Sequence, residues 1–233
     1  MNQSPFAIVA TLSVAALLVQ PAAGQDRTPP ASAAEKEQVY TLSLEKRSAD
    51  ILADLALADT AKAAKVHDAV IAQYRALRAR DEVLDTKLKA GAKEAAGTAK
   101  DPTVEAQNQT KTLHDQFLAK LSAELTPEQV EKVKDKMTYG KVKFTYEAYC
   151  NIVPGLTDAE KAKILEVLKQ AREEAIDGGS APAKSAIFQK YKDQINSYLA
   201  AQGHDVQKAL KDWNAKQEKA KQEAAARPAQ AAQ

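Results

Sequence analysis

Apolar residues recur along most of this chain at helical spacing. Leu44, Ile51, Leu52 and Leu55 form a stripe on a first helix that ends near Leu57. Asp59 then caps a long second helix whose stripe runs Val66, Val70, Tyr74, Leu77, Leu84 and Leu88, with Asp81 interrupting it. Leu113, Phe117, Leu121 and Leu125 make the next face. It is followed at once by Thr126-Pro127-Glu128-Gln129, a Thr cap, a Pro at the first helical position and a Gln at the third, so a capping box starts a new helix at a sharp corner. Leu125 and Val130 flank that box as a hydrophobic staple, and Val133 and Met137 continue the face until Gly140. Thr157 and Glu160 repeat the box before Ile164, Leu168, Ala171 and Ala175, and Gly178-Gly179 end that helix. Ile187, Tyr191, Ile195 and Tyr198 line another helix, which Gly203 ends. Asp205 caps a last one carrying Val206, Leu210 and Trp213.

The pattern changes once. From Lys141 to Tyr146 the residues alternate with period two, which predicts a short extended connector. Thr145 would then cap a short helix bearing Tyr146, Tyr149, Cys150 and Val153, closed by Pro154-Gly155. The fold class that follows is all-α: one domain over residues 39–223, of six to seven amphipathic helices with an aromatic-rich extended connector and no sheet. Small residues and an Asp-Pro pair from Gly91 to Pro102 read as a mobile connection, and Ala224 to Gln233 as a disordered, low-complexity tail.

Residues 1–24 carry no charged side chain, hold an apolar run from Phe6 to Val19, and end in Ala22-Ala23-Gly24. This is the layout of a secretory signal peptide cleaved near Gln25. Residues 25–38, with Pro29-Pro30, read as a flexible leader, so the expected location is periplasmic or secreted. The apolar run is too short for a membrane span. The net charge of +2, with acids and bases interspersed, supplies neither a basic face for nucleic acid nor a polybasic membrane patch. A single Cys rules out an internal disulfide, which leaves packing as the source of stability.

Candidate chemistry is sparse. His67, His114 and His204 fall on different predicted elements without metal-ligand spacing, and no nucleophile elbow or phosphate loop occurs, so no catalytic residue, metal or cofactor is assigned. His114-Asp115 would be an acid–base pair only if the fold brought a substrate to it. Asp81, with Arg78 three residues before it and Arg80 beside it, is expected in a partly buried ion pair, Arg78 being the partner assigned, or else as a binding carboxylate. Cys150 is expected to pack as a small apolar group. Tyr139, Phe144, Tyr146 and Tyr149 lie close together in a chain with only 5% aromatic residues, beside Lys141 and Lys143. Such rings and donors suit a sugar ring or an extended peptide, or the rings simply fill the core between the corner helices.

The segments Leu118-Ala-Lys-Leu-Ser-Ala-Glu-Leu-Thr-Pro-Glu-Gln-Val-Glu-Lys-Val-Lys-Asp-Lys-Met-Thr-Tyr-Gly, Ala171-Arg-Glu-Glu-Ala-Ile-Asp-Gly-Gly-Ser and Lys190-Tyr-Lys-Asp-Gln-Ile-Asn-Ser-Tyr-Leu resemble domain-of-unknown-function family 3826 (DUF3826). The likeness spans about Tyr40 to Trp213. It implies an exported bacterial protein often encoded beside carbohydrate-utilisation genes, and it brings no established activity. Leu125-Thr-Pro-Glu-Gln129 also resembles the Leu-Thr-x-x-Gln signature of the periplasmic Spy and CpxP chaperones, although Glu160 replaces the Gln in the second copy. Three functions follow: a non-enzymatic binding or accessory protein that takes an oligosaccharide, a helical chaperone for unfolded or peptide clients, or an enzyme with an unrecognised site.

Overall fold

The computed structural model describes residues 32–91 and 102–230, and among them there are eight helices and no strand. They are α1 (Ala33–Leu55), α2 (Thr60–Gly91), α3 (Pro102–Glu124), α4 (Pro127–Met137), α5 (Lys141–Ile152), α6 (Asp158–Ala175), α7 (Ala181–Ala201) and α8 (Val206–Gln230). The expected signal peptide over residues 1–24 lies outside the described residues, as does nearly all of the connection between α2 and α3.

Most helix starts are set by the caps the sequence supplies. Thr126 and Thr157 both form reciprocal capping boxes, with Gln129 and Glu160 respectively. Asp59 Oδ1 accepts from the backbone N–H groups of Ala61 and Lys62, and Asp205 Oδ1 from that of Lys208. Three expectations are corrected. Ser32 and Glu35 form a further capping box, so α1 begins at Ala33, inside the stretch read as a leader. The stretch read as an extended connector is helical from Lys141 onward. Val142, Tyr149 and Val153 share a buried face there at helical spacing, and Thr145 lies inside the helix rather than capping it. Finally, α8 continues past Ala224 to Gln230, in keeping with the strong helix formers Ala, Lys, Glu and Gln that fill it.

The helices pack in two layers of one domain. α1 runs antiparallel to α2, through Glu45–His67 and Tyr40–Tyr74, and α2 antiparallel to α3, through Lys65–Glu124 and Arg80–Thr110. With α4 they enclose a core of Leu44, Ile51, Val70, Tyr74, Phe117, Leu121, Val133 and Met137. A second core joins α5, α6 and α7 through Val142, Tyr149, Ile164, Leu168, Phe188, Ile195 and Leu199. Ile176, just after α6, belongs to the first core, so the α6–α7 corner is plugged into the other layer.

That corner is locked by polar groups. Arg172 is 3% exposed and pairs with Glu131 and with Asp135 at 2.6 Å, while Lys134 reaches Glu173 at 2.9 Å. Asp177 accepts from His114 Nδ1 at 2.7 Å and from Gln73 Nε2 at 3.4 Å, and its carbonyl accepts from Arg80. Gly178 allows the Lys184 stem to press in, because a Cβ there would lie 2.9 Å from Lys184 Cγ.

Candidate functional site

A cleft of about 560 Å³ opens between α1 and the C-terminal end of α4. On α1, Arg47, Asp50 and Asp54 face it, and Ile51 of the same helix, buried in the core, lines its base. Lys136 and Tyr139 close the other side, and Tyr74 of α2 forms the floor. The backbone at Tyr139 is unusual for its residue type. Its φ is 60°, and Gly140 follows at 64°, so two successive left-handed residues turn the chain from α4 into α5. The second is a glycine, for which this conformation is free. The first is a tyrosine, for which it costs on the order of 1 kcal/mol. Tyr139 is 47% exposed at the mouth of the cleft.

The floor is electrically distinctive. The Arg47 guanidinium lies 5.4 Å from the centre of the Tyr74 ring, and the Lys184 ammonium lies 5.2 Å from the same ring. Lys184 is 1% exposed and donates to the Met137 carbonyl at 2.9 Å. Burial, and then the charge of Arg47, push its ammonium down to about 8. Burial pushes the Tyr74 hydroxyl up to about 12. At the rim, Lys136 pairs with Asp54 at 3.2 Å, whereas Arg47 and Asp50 have no ion pair among the described residues.

The structure divides the aromatic stretch rather than presenting it as one surface. Only Tyr139 reaches the cleft. Phe144, 75% exposed, stands over a separate groove of about 340 Å³ with Ile152, Val206 and Leu210 along it. Tyr149 is buried at the edge of that groove and donates its hydroxyl to Asn196 Oδ1 at 2.7 Å. Tyr146 is half-buried against the second core. Lys141 sits 6.0 Å from the Phe188 ring centre, and Lys143 is exposed, 3.9 Å from Glu147. A helix distributes these side chains around its axis, which is why an alternating strand would have grouped them differently.

The expected Arg78–Asp81 pair is not formed. Asp81 is held by Arg80 at 2.6 Å, because Arg80 points toward α3 and the Asp177 carbonyl. Arg78 instead pairs with Glu37 and Glu82 and lies 4.3 Å from the Tyr40 ring centre. His114 engages Asp177, which holds its imidazole above the ordinary histidine range, and Asp115 turns to Lys111. His67 faces Glu45, and His204 faces Glu160. Cys150 is half-buried. Among the described residues no His, Cys, Asp and Glu side chains converge as a metal-holding group, and no helix is long and apolar enough to cross a membrane. In the sequence Arg47, Asp50 and Asp54 look like the ordinary polar face of an amphipathic helix, so nothing there marks them as cleft residues.

The molecule is thus an all-helical protein with an open, charged, aromatic-rimmed cleft. The family described as "Protein of unknown function (DUF3826)" matches residues 41–220, and the chain belongs to that family. Comparison with curated proteins finds none that matches. The three segments that carry the likeness build the α3–α4 corner ending in Tyr139, the polar lock at Arg172 to Ser180, and the face of α7 that meets Glu174 and Tyr149.

Proposed function

We propose that the protein binds an oligosaccharide without transforming it, in the cleft between α1 and the end of α4, as an exported accessory protein of carbohydrate use. One observation carries this reading. Tyr139 is held half-exposed by a strained backbone, beside Arg47 and Asp50, which have no ion pair among the described residues. A flat ring packs on the C–H face of a pyranose, while a guanidinium and a carboxylate give and accept hydrogen bonds at its hydroxyls. Binding is favoured over catalysis because Asp54, the one carboxylate that could act beside Asp50, is engaged by Lys136 at 3.2 Å. Export is supported by the uncharged, apolar first 24 residues, and the link to carbohydrate use by the family resemblance.

A thermal-shift screen of the mature protein against plant-polysaccharide oligosaccharides tests it. The expected result is a rise in melting temperature with at least one oligosaccharide, growing with its concentration. A panel without any shift, and without heat of binding, contradicts the reading.

A second reading, a chaperone for unfolded clients, is favoured by the groove beneath Phe144, where Ile152 and Leu210 continue an apolar surface. Suppression of client aggregation at stoichiometric ratio, lost in Phe144→Ser, is its signature. Equal suppression by the variant contradicts it.

A further inference from the structure

The cleft has a charged end and a neutral end. At the rim, the Lys136 and Asp54 charges are paired with each other. At the floor, Arg47 has no carboxylate partner among the described residues, and the ammonium of Lys184 lies against the same Tyr74 ring that Arg47 covers. Two cations therefore share one ring. Lys184 is sealed off from solvent and spends its hydrogen bond on the Met137 carbonyl, a neutral acceptor, so its charge, only partly offset by the Asp177 carboxylate, is felt at the floor. The half-buried Arg47 and the buried Lys184 disfavour each other's charge, and an anion at Arg47 offsets that. A neutral sugar would leave that repulsion in place, whereas a carboxylate would relieve it.

Building on the oligosaccharide reading, we infer that the cleft selects sugars bearing a carboxylate, that is uronates, with Arg47 receiving the carboxylate and Tyr139 packing on the ring. A guanidinium takes a carboxylate in a two-point contact that an ammonium cannot reproduce, and here its far face is supported by Tyr74. Asp50 lies one helical turn along α1 from Arg47 and lines the same cleft. It repels a carboxylate placed at its end and accepts from hydroxyls instead, so the pair also fixes which way the sugar lies.

The test is titration calorimetry with uronate trimers (galacturonate, mannuronate and guluronate) and the methyl esters of the same trimers, which keep linkage and shape but remove the charge. A panel of neutral oligosaccharides is run beside them. The expected result is that at least one acid form binds about tenfold or more tightly than its ester, as one charge-assisted contact supplies. The preference should shrink as salt rises from about 0.05 M to about 0.5 M. It should disappear in Arg47→Gln, survive in part in Arg47→Lys, and both variants should melt like the wild type. Equal binding of acid and ester, or a preference that persists in Arg47→Gln, overturns the uronate inference and leaves oligosaccharide binding standing. Binding to neutral oligosaccharides alone does the same. No binding to any of the three sets overturns both. If Arg47→Gln fails to fold, the acid-to-ester ratio and its salt dependence in the wild type decide the matter alone.

Discussion

Gly179 backs onto Asp81 so closely that a methyl group on the glycine would overlap Oδ2 of the aspartate and lie 3.0 Å from its Cγ. The glycine therefore serves the contact between the α6–α7 corner and α2, and its φ is not in the left-handed region. Arg80 holds Asp81 in place, so the carboxylate cannot swing away freely. Gly179→Ala should destabilise the protein by roughly 1–3 kcal/mol. Adding Asp81→Ala should recover part of that loss, since the two sites share one contact. Denaturant melts of the single and double variants check this, and strictly additive losses would show that the contact is slack.

Lys184 links stability to pH. Its folded-state value of about 8 lies below the ordinary lysine value of 10.5, so between those limits the unfolded chain holds a proton that the folded chain has released. Stability contributed by this group therefore rises as pH climbs from about 8 toward 10.5, and is absent below that window, where the buried ammonium must stay charged. Arg47 deepens the effect and Asp177 opposes it. Tyr74 and Tyr149, both pushed up to about 12 by burial, act in the opposite sense above about pH 10. Between pH 8 and 9.5 the wild type should gain stability relative to Lys184→Met. Parallel curves for the two proteins would contradict this.

The α3–α4 corner is where local sequence does most for the fold. Leu125 is 7% exposed in the first core, and Thr126 makes both halves of its capping box with Gln129. Thr126→Ala should cost about 1 kcal/mol through the lost cap. Leu125→Ala should cost more, roughly 2–4 kcal/mol through lost burial. A Leu125→Ala melting midpoint equal to the wild type would show that the corner is not packed.

That corner also shows what could be learned without coordinates. Capping boxes are written in four consecutive residues, so Thr126 and Thr157 announce their helices, and the buried stripes at Val66 to Leu77 and Ile164 to Ala175 follow from spacing alone. Ser32 and Glu35 follow the same rule but were masked by the prolines just before them. At the start of α5 six alternating residues fit a strand, while its buried set of Val142, Tyr149 and Val153 emerges only over three turns. Which of Arg78 and Arg80 holds Asp81 was out of reach for a different reason. Arg80 rather than Arg78 turns to it because Thr110 and Asp177, remote in sequence, draw that guanidinium to the interface. The cleft is hidden for the same reason, since Arg47, Tyr74, Tyr139 and Lys184 come from four separate elements.

The central claim is that Tyr139 is kept in a strained backbone for binding and not for stability. It predicts that Tyr139→Gly, which releases the left-handed strain, melts no lower than the wild type. The most direct measurement is titration calorimetry of Tyr139→Ala against the oligosaccharide that best shifts the wild-type melt, with denaturant unfolding of the same variant alongside. The account predicts binding weakened by about tenfold or more, with an unfolding midpoint close to wild type. Wild-type affinity in the variant, or a loss of several kcal/mol in stability, would contradict it and make the ring part of the core.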